Sequence, residues 1–188
     1  KKMAKVYEAL EVVNEKGEPS PDMQVVIEIL TALMNDKENL KSYDRSVMWN
    51  TWGYVYFSDG KYDEAIRAYE NLLSEPEVTI PLRTSALLTL AQLNLVKERY
   101  QKGVDLLLMW MEEVETITAQ SWSLLGQAYF QLGDYKKSRS SMETAINLAE
   151  TEGYKPKENW YVIIAACIGE LKKEIGEKKA LLLQLDIY

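Results

Sequence analysis

The reading turns on Trp122-Ser123-Leu124-Leu125-Gly126-Gln127-Ala128-Tyr129-Phe130-Gln131-Leu132-Gly133-Asp134-Tyr135. Trp122, Leu125 and Tyr129 are spaced by three and four residues, which puts them on one face of an α-helix. Gly126 lies beside that stripe. A glycine inside a helix costs about 1 kcal/mol relative to alanine, and its place here predicts another backbone passing very close. Gly133-Asp134 reads as a stop and a restart, with glycine at the end of one helix and aspartate as N-cap of the next. The unit is two antiparallel helices joined by a tight turn.

That unit recurs. Trp49, Trp52, Gly53 and Tyr56 repeat the spacing, followed by Asp59-Gly60 and Tyr62. Leu87, Leu90, Ala91 and Asn94 give a weaker copy, with Tyr100 in the place of Tyr62. Positions 53, 91 and 126 are 38 and 35 residues apart. In the second helix of each copy, Ala65 and Tyr69, Gly103 and Leu107, and Ser138 and Met142 stand in matching places. The pattern resembles the tetratricopeptide repeat, whose period is about 34 residues and whose signature is W-x2-L-G-x2-Y followed by A-x3-F. The resemblance implies an all-α, right-handed α-solenoid of antiparallel helix pairs, about four to five hairpins long.

Around these copies the chain divides as follows. Residues 1–36 form an N-terminal helical hairpin without the signature residues, a degenerate repeat. Its first helix spans 3–16. Gly17-Glu18-Pro19-Ser20-Pro21 breaks it, and Ser20 caps the second helix with Pro21 at its first position. Residues 44–188 hold repeats at about 44–75, 81–115, 118–151 and 156–188, all in one solenoid domain. The five prolines, Pro19, Pro21, Pro76, Pro81 and Pro156, fall at joints, as they must where proline inside a helix costs about 3 kcal/mol. The last repeat departs from the pattern. Trp160 stands for Trp122, but Ile164 replaces the glycine and Cys167 the tyrosine, with a turn expected near Lys172 to Gly176.

Composition narrows the function. The chain has no histidine and one cysteine, which removes the commonest general base, any Ser-His-Asp or Cys-His arrangement and a thiolate zinc site. Phosphate-cradling glycine motifs are missing too. No enzymatic activity and no cofactor or metal are expected. A net charge of -7 without a basic run disfavours nucleic acid, where Lys and Arg contacts to phosphate supply most of the affinity. No apolar run reaches membrane-spanning length. Cys167 sits among apolar residues and reads as a buried, inert thiol. Both ends look like cuts in a longer protein.

What remains is binding. In repeats of this kind the first helix of each pair lines a concave groove. The resemblance places Asn50, Tyr54, Phe57, Leu88, Gln92, Leu95, Ser123, Gln127, Phe130, Gln131 and Tyr161 on that groove, available to a peptide or helix of a protein partner. The lysine and asparagine clamp that grips C-terminal carboxylates in chaperone-binding relatives has no Lys or Arg here, so the groove is expected to be neutral and amphipathic. A structural role as a self-associating solenoid subunit, motivated by the apolar residues 181–188, is the second reading. A narrower resemblance runs through Trp49–Tyr56, Ala91-Gln92-Leu93, Ala128-Tyr129 and Glu158-Asn159-Trp160-Tyr161. It points to bacterial repeat proteins of the TonB energy-transduction system. It implies the periplasm of a Gram-negative cell; otherwise the cytoplasm is expected.

Overall fold

A computed structural model describes residues 2–13 and 16–185, with side chains for 4–13 and 16–178. The described residues are helical, with an isolated antiparallel bridge between Val13 and Pro19. They group into two compact units, Lys1–Lys97 and Glu98–Tyr188.

The first unit holds α1 (Lys2–Leu10), α2 (Met23–Asn35), α3 (Ser42–Ser58), α4 (Tyr62–Leu73) and α5 (Ile80–Val96). α1 stops at Leu10, well short of residue 16, and the Val13–Pro19 bridge takes over. Ser20 does not cap α2. Asp22 does, its carboxylate accepting from the Val25 amide at 3.2 Å. A charged oxygen beside the helix N-terminus is favoured both as a cap and by the helix dipole. The core of this hairpin is built from Val6 and Ala9 of α1, Val26, Leu30 and Leu33 of α2, and Met48, Trp52 and Val55 of α3. The α3–α4 turn carries Gly60 at φ 71°, a left-handed conformation that glycine adopts without steric cost.

α4 is tied back to α3 by charge. Glu75, just past α4, accepts from Arg45 Nε at 2.8 Å and Nη2 at 2.8 Å, and from Ser42 Oγ at 3.1 Å. Ser42 in turn accepts from the Glu77 amide at 3.0 Å, and Arg45 Nη1 donates to the Leu40 carbonyl at 2.6 Å. The paired Arg45 guanidinium holds the Glu75 carboxyl below its ordinary range. Such fork-shaped, charge-assisted pairs are the stronger hydrogen bonds.

The second unit holds α6 (Tyr100–Glu113), α7 (Ala119–Gln131), α8 (Tyr135–Thr151) and α9 (Glu158–Leu185). The Gly133-Asp134 turn forms as the sequence predicts. Gly133 has φ 75°, and Asp134 accepts from the Lys137 amide at 3.1 Å. Glu98, two residues before Tyr100 as Gly60 and Gly133 precede Tyr62 and Tyr135, has φ 56° without being glycine. The core contains Ala119, Met142, Ala145, Ile146, Ala149 and Trp160.

Two further expectations need correction. The turn expected near Lys172 to Gly176 is absent, because α9 runs unbroken for 28 residues. Lys172-Lys173-Glu174 and Glu177-Lys178 surround Gly176 with good helix formers, and Gly176 lacks the proline or capping residue that would turn its flexibility into a stop. Trp49 and Trp122 open the signature stripes and should on that account lie in the core; they are half-buried at the edges of their clusters. The central position falls three residues later, to Trp52 and Leu125, which are 9% and 2% exposed.

Candidate functional site

The signature glycines set the spacing within each hairpin. A Cβ on Gly53 would lie 2.6 Å from Cζ of Tyr69. A Cβ on Gly126 would lie 3.0 Å from Cγ of Met142 and 3.1 Å from the Ser138 carbonyl oxygen. The neighbour predicted to be backbone is therefore a phenol ring in the first hairpin, and a thioether together with backbone in the second. Ser138 Oγ donates to the Gly126 carbonyl at 2.8 Å and accepts from Cys167 Sγ at 3.3 Å, so one hydroxyl links α7, α8 and α9. Cys167 is fully buried, as its apolar surroundings predict.

Pressing Tyr69 against Gly53 leaves a cleft of about 430 Å³ between α3, α4 and α5. Tyr54 and Phe57 of α3 and Gln92 of α5 line it, joined by Tyr69, Thr89, Leu93 and Val96. Tyr54 and Phe57 are 44% and 49% exposed, and Val96 is 62% exposed. None of the lining residues carries a charge, and burial pushes the Tyr69 hydroxyl up from its ordinary value, so the cleft is neutral at physiological pH. Its walls are aromatic and aliphatic. The Gln92 amide and Thr89 hydroxyl supply the polar groups, although Thr89 Oγ1 already donates to Ser85 O at 3.0 Å.

Three of the eleven expected site residues thus meet in one cleft. Asn50, Leu88 and Leu95 are half-buried in the same unit but do not line it. The other five belong to the second unit. Ser123 corrects the expectation: it is fully buried, its hydroxyl donating to Gln120 O at 2.9 Å, because its place in the register faces the packed side of α7. Gln127 is half-buried and donates to Ser123 O at 3.2 Å. Phe130 packs edge-on against Tyr135 at 5.5 Å between centroids, as Phe57 packs on Tyr62 at 6.0 Å. Gln131 is exposed, and so is Tyr161, whose hydroxyl lies 3.5 Å from the Glu150 carboxylate. Tyr69, Leu93 and Val96 were not legible as cleft residues. Tyr69 matches the A-x3-F position, which reads as packing, yet its ring faces Gly53 on one side and the cleft on the other.

Among the described residues, no cluster of three potential metal ligands occurs, and no helix is long and apolar enough to cross a membrane. Profiles of the tetratricopeptide repeat match residues 50–113 and 119–152. The chain is a tetratricopeptide-repeat protein. Its fold is similar to the kinesin light chain TPR-like repeats of Podosopora anserina. The TM-score is 0.62 at 16% identity, covering 98% of this chain and 87% of that one. It is also similar to the first TPR of Spaghetti (RPAP3) bound to the HSP90 peptide SRMEEVD. There the TM-score is 0.53 at 16% identity, over 69% of this chain and 94% of that one. The general transcriptional corepressor trfA of Dictyostelium discoideum is 27% identical over 110 residues, which is 57% of this chain but 7% of that protein. The chain therefore spans less than a tenth of that relative. These likenesses establish the all-α TPR-like solenoid expected from the sequence. The TonB-system resemblance finds no support in them.

Proposed function

We propose that this tetratricopeptide-repeat protein is an interaction scaffold, and that the cleft between α3, α4 and α5 takes an apolar anchor side chain from a peptide or helix of a protein partner. One observation carries the reading: Tyr54, Phe57 and Val96 stand exposed around a neutral cleft with the Gln92 amide at its wall. Aromatic side chains of this kind dominate interface energies, and an amide can bond the backbone of an extended segment. The HSP90 peptide bound by the similar TPR of Spaghetti ends in Glu-Glu-Val-Asp. This cleft has no cation to receive an acidic tail, so the partner segment is apolar and internal. The narrower placement, in a bacterial envelope assembly of TonB type, rests on the sequence resemblance alone.

The test is selection from a displayed library of unstructured peptides, followed by titration of the winners against variants. Tyr54→Ala is expected to cost 2 kcal/mol or more of binding, in the range of ~2–4 kcal/mol typical of an anchor residue, while thermal melts stay unchanged. Gln92→Ala is expected to cost about 0.5–1.5 kcal/mol. Peptides that bind Tyr54→Ala, Phe57→Ala and Gln92→Ala as well as the parent refute the cleft. Peptides that all require a free C-terminal carboxylate refute its neutral character.

A further inference from the structure

We infer that the segment seated in the cleft between α3, α4 and α5, given that this cleft is the binding surface proposed above, is a proline-bearing stretch in the polyproline II conformation. Tyr54 and Phe57, three residues apart on α3, form one wall. Phe57 lies at 45° to Tyr62 with ring centroids 6.0 Å apart, which extends the aromatic surface onto α4. Thr89, Gln92 and Val96 follow one face of α5 and form the other wall. From Thr89 to Val96 that face is about 10 Å long at the helical rise. One three-residue turn of polyproline II is about 9 Å long. Flat pyrrolidine rings pack well on aromatic faces, and a chain already held in this conformation loses little entropy on docking.

Hydrogen bonding decides between this occupant and the alternatives. The walls are helical, so their main-chain groups are paired within the helices except at the C-terminus of α5. A bound β-strand would find no sheet edge here, and its buried N–H groups would lack acceptors. The polar contacts must come from side chains. The Thr89 hydroxyl proton is committed to Ser85 O. Among the described residues, the Tyr54 hydroxyl and the Gln92 amide have no hydrogen-bond partner. They offer O–H and N–H donors to carbonyl oxygens, whereas the Gln92 oxygen accepts a single N–H without difficulty. The complementary chain is rich in free carbonyls and poor in N–H groups. Proline residues have no N–H, and polyproline II leaves every carbonyl unpaired. A helix has its own backbone satisfied, so its apolar face would strip water from Tyr54 and Gln92 and return no bond. Because no lining residue is charged, the prolines and the residue between them are uncharged where they lie in the cleft.

Two displayed peptide libraries of equal length separate the possibilities, one with two prolines fixed among random residues and one from which proline is excluded. Selection on the whole chain is expected to yield binders from the proline library, with Tyr54→Ala weakening them at least about tenfold. Gln92→Leu, which keeps the bulk and removes the amide, should weaken them about three- to tenfold. Gln131→Ala, on an exposed residue of the second unit, should leave binding unchanged, and thermal melts should match the parent in all three variants. In the selected peptides, proline to alanine should weaken binding at least about tenfold, because it restores an N–H and frees the backbone. Proline to N-methylalanine, which also lacks the N–H, should recover most of that loss. Tyr54-dependent binders drawn equally or mainly from the proline-free library overturn the polyproline assignment and leave the cleft standing as the binding surface. Proline peptides that bind as well with alanine in place of proline overturn it too. Binders indifferent to Tyr54→Ala and Gln92→Leu in both libraries, or no binders in either, overturn the cleft reading and this assignment together.

Discussion

Gly53→Ala puts the packing of the first hairpin to a quantitative test. The substitution has two opposed effects. Replacing a mid-helix glycine by alanine stabilises a helix by about 1 kcal/mol. Against this, the new Cβ would stand 2.6, 2.7 and 3.0 Å from Cζ, Cε2 and Cε1 of Tyr69, where carbon contacts normally begin near ~3.5 Å. Tyr69 is 6% exposed, so its ring can yield only toward the cleft it borders, at the cost of its packing there. Overpacking of this kind costs about 1–3 kcal/mol, and a clash with three ring carbons belongs at the upper end. The net expectation is a loss of about 1–2 kcal/mol, or roughly 4–8 °C of melting temperature per kcal/mol for a unit of this size. Gly169→Ala is the control, since nothing lies within 4 Å of its Cβ position, and it should gain about 0.5–1 kcal/mol. Urea unfolding followed by tryptophan fluorescence and circular dichroism supplies both numbers. Tyr69→Leu removes the clashing ring atoms, so the double variant Gly53→Ala/Tyr69→Leu should be more stable than the two single losses add up to. If Gly53→Ala gains stability as Gly169→Ala does, the ring does not fix the hairpin spacing and the reasoning fails.

Other perturbations follow from the same geometry. Glu98→Gly should raise stability by about 1 kcal/mol in urea unfolding, since a non-glycine residue at φ 56° carries a left-handed penalty of that order; Gly133→Ala should lower it by a similar amount. Glu75→Gln should cost about 1.5–3 kcal/mol at neutral pH. The hydrogen bonds from Arg45 hold the Glu75 carboxyl below its ordinary value. Its stabilisation is therefore complete above the unfolded value near ~4.3 and disappears as pH falls through the lower folded value. The gap between parent and variant should close in acid, and a gap that persists there contradicts the assigned pair. Ser138→Ala should cost about 1 kcal/mol, read from the same unfolding curves, by removing the hydroxyl that bridges Gly126 and Cys167.

The hairpins were legible because their determinants are local. Gly60, Gly133 and Asp134 specify turns within a few residues, and the three- and four-residue spacing of Trp49, Trp52 and Tyr56, and of Trp122, Leu125 and Tyr129, sets the helical faces. The cleft was only partly legible. Spacing places Tyr54, Phe57 and Gln92 on outward faces, but which side of Tyr69 remains accessible depends on how deeply its ring sinks over Gly53. Ser123 was misread because a position beside a signature residue can face either the groove or the packed side of its helix, and spacing alone does not say which. The end of α2's cap was missed for a simpler reason. Ser20-Pro21-Asp22 offers two capping residues, and only the folded chain shows that the Asp22 amide bonds Ala9 O at 2.8 Å, fixing Asp22 at the helix start. α9 defeated the repeat pattern because the period alone carries no instruction to turn where the residues themselves favour helix.

Met142 lies against Gly126 with no exposed surface, and Met48 is equally enclosed in the first unit, whereas Met109 is 43% exposed. A thioether oxidises only when peroxide reaches it, and the sulfoxide is polar and bulkier. Met109 therefore marks the intrinsic rate of the reaction. Met48 and Met142 oxidise only as fast as their own hairpins open. The Met142 side chain is fully buried, where a polar, bulkier sulfoxide is disfavoured, so a hairpin oxidised while open does not close again in the same way. The slot that lets two helices approach thus also keeps a chemical record of each time they part, one that lasts until a reductase erases it.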